Sequence, residues 1–274
     1  AFDELNMKKE TEKFYESFCK KTQSKNGMWE QRFYTDGTLA PCWGYQIDET
    51  ASVIYGIYEH YNKTKELKFL LNNLKMCENA LHFLFKYLEN LFDEKEEKDL
   101  VKKEIIEKVI EEGRQKDQVY KHESYDLWEM NEGVHLYSIA CIYGALNAMV
   151  GIYEQVKDKY ENNRLKLEQI SKNISKINDE INNIKKFVEE NLYNENTKVL
   201  KRNTKDEKMD VSMIGAVYPF ELMGENEKKV LNTVEKINLT LRTYTGGYLR
   251  FEQDSYIEGV CPWPVTTLWM AMYY

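Results

Sequence analysis

Val134-His135-Leu136-Tyr137-Ser138-Ile139-Ala140-Cys141-Ile142-Tyr143-Gly144-Ala145-Leu146-Asn147-Ala148-Met149-Val150-Gly151-Ile152-Tyr153 runs for twenty residues without a formal charge. That length would suffice to cross a bilayer. Its content argues otherwise: His135, Ser138, Asn147, two glycines and four small Ala or Cys positions make a poor lipid-facing surface, and the rest of the chain is strongly hydrophilic. The stretch reads as a helix buried on all sides by protein. Further on, the helix expected over Leu165–Asn191 has a different pattern. Ile170, Ile174, Ile177, Ile181, Ile184 and Val188 recur in steps of three and four, leaving one apolar stripe on a polar helix. Such a heptad stripe also suits a coiled-coil partner, but Asn and Lys fill the flanking positions without a charge-pairing code, so an outer helix packed on its own domain is expected. Buried helices alternating with striped ones are what an inner ring sheathed by an outer ring would produce.

Outward from these two segments, helical periodicity continues. Glu49–Tyr61 and Glu66–Leu88 carry apolar residues at 3.6-residue spacing. Asp93–Gln118 reads as a solvated Lys/Glu helix with a narrow inner stripe, and Val211–Leu222, Glu225–Leu241 and Pro264–Tyr274 read as short helices. Almost no alternating run bounded by turns appears, so the class is all-α. No Pro-, Gly- or Ser-rich linker divides the chain, so residues 1–274 form one domain, with Asn194–Lys208 expected to be its least ordered part.

The chain has 274 residues, of which 42% are hydrophobic and 13% aromatic, enough for one large core. A net charge of −8 and a pI near 5.3 make neither nucleic acid nor an anionic membrane a natural partner. Five scattered cysteines with no Cys-x-x-Cys argue against a disulfide framework and a zinc site. No regular acidic spacing suggests a calcium loop and no Gly-rich phosphate loop appears, so neither a metal nor another cofactor is expected. The four histidines form no nucleophilic arrangement; His135 reads as a satisfied core histidine. The start lacks the basic and apolar regions of a signal peptide, which points to the cytoplasm.

Chemistry enters at Tyr125-Asp126-Leu127-Trp128-Glu129, where a carboxylic acid stands beside an indole. An indole face stacks on a pyranose ring, and an apolar neighbour disfavours an ionised carboxylate. A packing Trp and a first-turn acid at a helix mouth would look the same. Two further stretches agree with the sugar reading: Arg32-Phe33-Tyr34-Thr35-Asp36-Gly37-Thr38-Leu39-Ala40-Pro41-Cys42-Trp43-Gly44-Tyr45-Gln46-Ile47-Asp48-Glu49-Thr50, and Gly246-Gly247-Tyr248-Leu249-Arg250-Phe251-Glu252-Gln253-Asp254-Ser255-Tyr256 followed by Pro262-Trp263-Pro264. In that order the three segments, together with Asp210-Val211-Ser212-Met213-Ile214-Gly215, resemble glycoside hydrolase family 15, the glucoamylases and their glucodextranase-like, isomaltose-cleaving and trehalose-cleaving relatives.

The resemblance implies an (α/α)6 toroid with loops over one end of the inner ring. It implies that Glu129 is the general acid, that Trp43, Trp128 and Trp263 line the pocket, and that Arg250 donates paired hydrogen bonds to a terminal glucose. Asp48 and Glu49 would order the pocket, although a helix N-cap and a first-turn acid account for them equally well. Met130 stands where many members carry a second Glu, which makes the outer subsite more apolar. The implied substrate is an α-glucosidic oligosaccharide cleaved with inversion, which takes two carboxylates about 6.5–9.5 Å apart. The family's base follows the Pro-Trp helix, and its upstream Trp-x-Arg-Asp stretch is not found here. The chain is therefore expected to be an internal portion of the catalytic domain, with the base outside it, and with inner helices covered by self-association or by the remainder of the toroid. Asp48, Glu49, Glu252 and Asp254 are the internal alternatives for the base. Trehalose or an isomaltose-type sugar as substrate, and a non-catalytic carbohydrate-binding module, are the other functional expectations.

Overall fold

A computed structural model of the chain describes residues 2–42, 44–92, 123–256 and 261–274. Trp43 and the helix expected over Asp93–Gln118 lie outside the described residues. The chain opens with α1 (Lys8–Lys13), widens into a π-wound segment over Phe14–Cys19 and closes that stretch with α2 (Lys20–Thr22). Then come α3 (Asp48–Thr64), α4 (Leu67–Phe92), α5 (Leu136–Val156), α6 (Arg164–Asn191), α7 (Lys228–Leu241) and α8 (Pro264–Tyr273). Strands among the described residues are confined to two antiparallel hairpins, β1 (Ser124–Tyr125) with β2 (Glu132–Gly133) and β3 (Tyr193–Asn194) with β4 (Val199–Leu200). The all-α expectation holds.

The uncharged stretch is the core helix α5. It packs on α3, α4, α6 and a 3-10 segment over Val211–Ala216, and its buried residues lie on every side. It is long and apolar enough to cross a membrane, but most of it is buried inside the fold. Small residues permit that close packing: a Cβ on Gly144 would lie 2.7 Å from the Phe220 ring. The striped helix α6 packs on α4 and α5 through Ile170, Ile177, Ile184 and Val188. Its N-cap, Asn163, accepts the Lys166 N–H at 3.1 Å, which satisfies one of the free donors of the first turn.

Two local expectations change. Asn194–Lys208 is not loose, because hairpin pairing continues into a buried Arg202, and Asn203 accepts the N–H groups of Lys205 and Asp206 at 2.8 and 2.9 Å. The helix expected over Val211–Leu222 stops as 3-10 at Ala216, ahead of a cis Tyr218–Pro219 bond, and α7 begins only at Lys228. At Val211–Leu222 side-chain and turn hydrogen bonds compete with helix continuation.

Candidate active site

The Trp128–Glu129 pair sits on a hairpin loop rather than at a helix start. Ser124 pairs with Gly133 and Tyr125 with Glu132, which leaves 126–131 to turn the chain. Asp126 shapes that turn from inside. Its buried carboxylate accepts the Met130 N–H at 2.8 Å and the Asn131 side-chain amide at 2.7 Å, its N–H donates to the Asn131 carbonyl at 2.9 Å, and its carbonyl accepts the Glu129 N–H at 2.9 Å. The turn puts Glu129 in the left-handed region, at φ 60°, which is uncommon for a residue with a side chain. Its carboxylate meets the Arg32 guanidinium in an ion pair, 97 residues away in sequence. The 31–46 loop is held against the hairpin by the Tyr125 N–H, which donates to the Tyr45 carbonyl at 2.8 Å, and by Gln46, which donates to the Asp126 carbonyl.

Trp128 points to a second carboxylate. Its indole N–H lies 3.0 and 3.1 Å from the two oxygens of Asp210. Asp210 caps the 3-10 segment by accepting the Ser212 N–H at 2.8 Å. Burial pushes its carboxyl up to about 6 despite these donors, which favour the charged form. Asp210 pairs through its backbone with Phe251, and the Val211 N–H donates to the Arg250 carbonyl at 2.9 Å. That pairing brings Arg250 to the hairpin. The Arg250 guanidinium grips Asp254 with Nε and Nη2, each at 2.7 Å, and the two residues are only 6% and 5% exposed. It also lies 4.5 Å from the centre of the Trp263 ring and 5.6 Å from that of Trp128. Trp263 is set by its N–H bond to the Tyr248 carbonyl at 2.9 Å, just before Pro264 starts α8.

Trp128, Arg250 and Trp263 thus come together from separate segments, with Glu129 next to Trp128 on the hairpin loop and paired to Arg32. Met130, next to Glu129, is 48% exposed. Asp48 and Glu49 are the first two residues of α3, whose N-cap position is Ile47. Asp48 is buried, accepts from the Ser138 hydroxyl at 3.3 Å and is pushed up to about 6 by burial. Glu49 Oε2 is buried with no hydrogen-bond partner among the described residues. Burial, then the charges of Asp48, Glu129 and Glu30, push the Glu49 carboxyl up to about 9. Of the other two carboxylates considered for a base, Asp254 is engaged by Arg250, and Glu252 accepts the Met209 N–H at 3.0 Å. The five cysteines are free, and no group of three or more His, Cys, Asp or Glu among the described residues is arranged to hold a metal ion.

Sequence reading assigned no role to Arg32, Asp126, Asp210 or Arg202. Asp210-Val211-Ser212 has the form of a capping Asp, the one local signal among them. Arg32 acts through a contact 97 residues away, which no local pattern encodes.

Residues 11–274 match the family described as glycosyl hydrolases family 15. An uncharacterized glycosyl hydrolase of Methanocaldococcus jannaschii is 26% identical over 274 residues, which are all of this chain and 38% of that protein. Among solved structures, a glucoamylase from Saccharomycopsis fibuligera is similar with a TM-score of 0.69 at 15% identity, over 98% of this chain and 58% of its own. A glycosidase variant in complex with glucose gives 0.64 at 16% identity, over 98% and 63%. The chain spans less than two thirds of the length of these proteins. At such identities the structural likeness carries the fold, that of the glucoamylase-type all-α toroids.

Proposed function

The chain belongs to glycosyl hydrolases family 15, and from that premise we propose that it acts as an inverting, exo-acting glycoside hydrolase releasing glucose from the non-reducing ends of α-glucosidic oligosaccharides. The observation that carries this reading is the Trp128–Arg250–Trp263 cluster, drawn from distant parts of the chain, with Glu129 next to Trp128 on the same hairpin loop. The two indoles offer apolar faces for a pyranose ring, and Arg250 offers a planar fork of donors whose remaining N–H groups face hydroxyls. Substrate entry displaces Arg32 from Glu129. The released carboxylate takes a proton from solvent and donates it to the glycosidic oxygen as that oxygen's bond to the anomeric carbon breaks, and water, deprotonated by the base, adds to the opposite face of the anomeric carbon.

The base that activates water is assigned to none of Asp48, Glu49, Glu252 or Asp254. Asp254 and Glu252 already accept hydrogen bonds at the loop they organise, Asp48 is buried against α5, and Glu49 holds its proton at neutral pH. A general base has to be ionised and to face a water. Exposed Met130 favours a second reading of the substrate as trehalose or an isomaltose-type sugar, because it offers an outer subsite an apolar thioether in place of a charged acceptor.

The test is Glu129→Gln in the full-length protein that carries this chain, assayed with maltose, isomaltose and trehalose, with the first-released anomer followed by NMR. Loss of a general acid is expected to lower glucose release by about 10²–10⁴-fold while leaving glucose binding in place. Unchanged release would remove Glu129 from the reaction. Sugar binding without release in the parent would instead favour a carbohydrate-binding module.

A further inference from the structure

Behind the Arg250 cluster lies a second arginine of the same construction. Arg202 follows β4, is 4% exposed, and grips Asp206 with Nε and Nη2, the former at 2.7 Å. Arg250 grips Asp254 in the same way, and in both cases the carboxylate lies four residues after the arginine. The two guanidinium groups share one aromatic ring: they lie 5.4 and 5.2 Å from the centre of buried Phe251. Arg202 Nη2 also approaches Asn131 Oδ1 at 3.4 Å, and Asn131 is held by Asp126 on the loop that carries Glu129. Arg202 Nη1 is buried with no hydrogen-bond partner among the described residues. A buried guanidinium with one nitrogen unbonded is a poor stabilising device, since desolvation offsets the gain from the ion pair.

We infer that Arg202 is a positioning residue of the sugar site, orienting Arg250 through the Phe251 ring. The inference rests on the sugar-site reading above. A planar guanidinium fills the space beside a ring in a way that an ammonium does not, so Arg202→Lys keeps a charge beside Asp206 but loses the plane.

The test is equilibrium binding of glucose, the product common to every substrate reading, to the full chain and to Arg202→Lys, Arg250→Lys and the double variant, with thermal unfolding as the control for folding. Arg202→Lys is expected to weaken glucose binding about three- to tenfold. In the Arg250→Lys background the same change should cost less than about twofold, because its effect passes through Arg250. A full additive loss in the double variant, or undiminished binding by Arg202→Lys, overturns the inference. If Arg202→Lys does not fold, Phe251→Leu removes the shared ring and leaves both Arg–Asp pairs; equal binding by that variant, or additivity with Arg250→Lys, is likewise fatal. A parent that binds no glucose overturns the sugar-site reading as well, whereas a parent that binds glucose with additive variants overturns only the role of Arg202.

Discussion

Replacing Glu49 by Gln removes one titrating proton from the first turn of α3 while keeping the shape of the side chain. In the folded chain Glu49 keeps its proton up to about pH 9, because burial first, and then Asp48, Glu129 and Glu30, disfavour its carboxylate. The unfolded chain releases that proton near the ordinary value of 4.5. Between these limits the native state binds a proton that the unfolded state has lost, so each rise in pH favours unfolding. The effect is absent below 4.5 and levels off above 9. At about 1.4 kcal/mol per pH unit, the stability lost by pH 7 is about 3 kcal/mol. Asp48, pushed up to about 6, adds a smaller slope that parent and variant share. The assay is urea unfolding followed by tryptophan fluorescence from about pH 5 to pH 8. Glu49→Gln is expected to match the parent or fall slightly below it at the acid end, where the buried amide lacks a partner. By pH 7 it should exceed the parent by about 3 kcal/mol. Parallel pH profiles would mean that Glu49 is ionised in the folded protein, and the assignment of a neutral acid there would be refuted.

Asp210→Ala leaves the Trp128 indole and the Ser212 N–H without their acceptor, and a loss of about 3 kcal/mol is expected at the acid end of the same unfolding assay, shrinking as pH rises because the substitution also removes the carboxyl that burial pushes up to about 6; Asp210→Asn is milder because one acceptor remains. A loss below about 0.5 kcal/mol at the acid end would show that Asp210 does not hold Trp128. Gly27→Ala should destabilise by about 2 kcal/mol or more in thermal unfolding, because Gly27 sits at φ 99° and an added Cβ would come within 2.1 Å of the Asn79 carbonyl oxygen. An unshifted midpoint would contradict that contact.

The division between α5 and α6 was legible because helix pattern is local: residues three and four apart share a face whatever the rest of the chain does. The same locality misled at Val211–Leu222, where apolar residues suggest a helix but Asp210 and the Tyr218–Pro219 turn interrupt it. Asn194–Lys208 looked loose by composition, yet Arg202 is buried there by Asp206, Asn131 and Phe251, two of them far along the chain. The Trp128–Glu129 pair was visible as chemistry, and its placement on a hairpin followed only from the pairing of Ser124 with Gly133.

From the order of its residues alone, this chain determines an all-α architecture, a helix buried on every side and a helix with one apolar stripe. Those are properties of short windows, set by side-chain period and by neighbouring residue types. Only the tertiary structure decided that Arg32 meets Glu129 across 97 residues, that Asp210 receives Trp128 across 82, and that Glu49 Oε2 is buried with no partner among the described residues. Such contacts depend on which helices and loops pack together, and burial, which moves the carboxyl groups away from their ordinary values, exists only once that packing is complete.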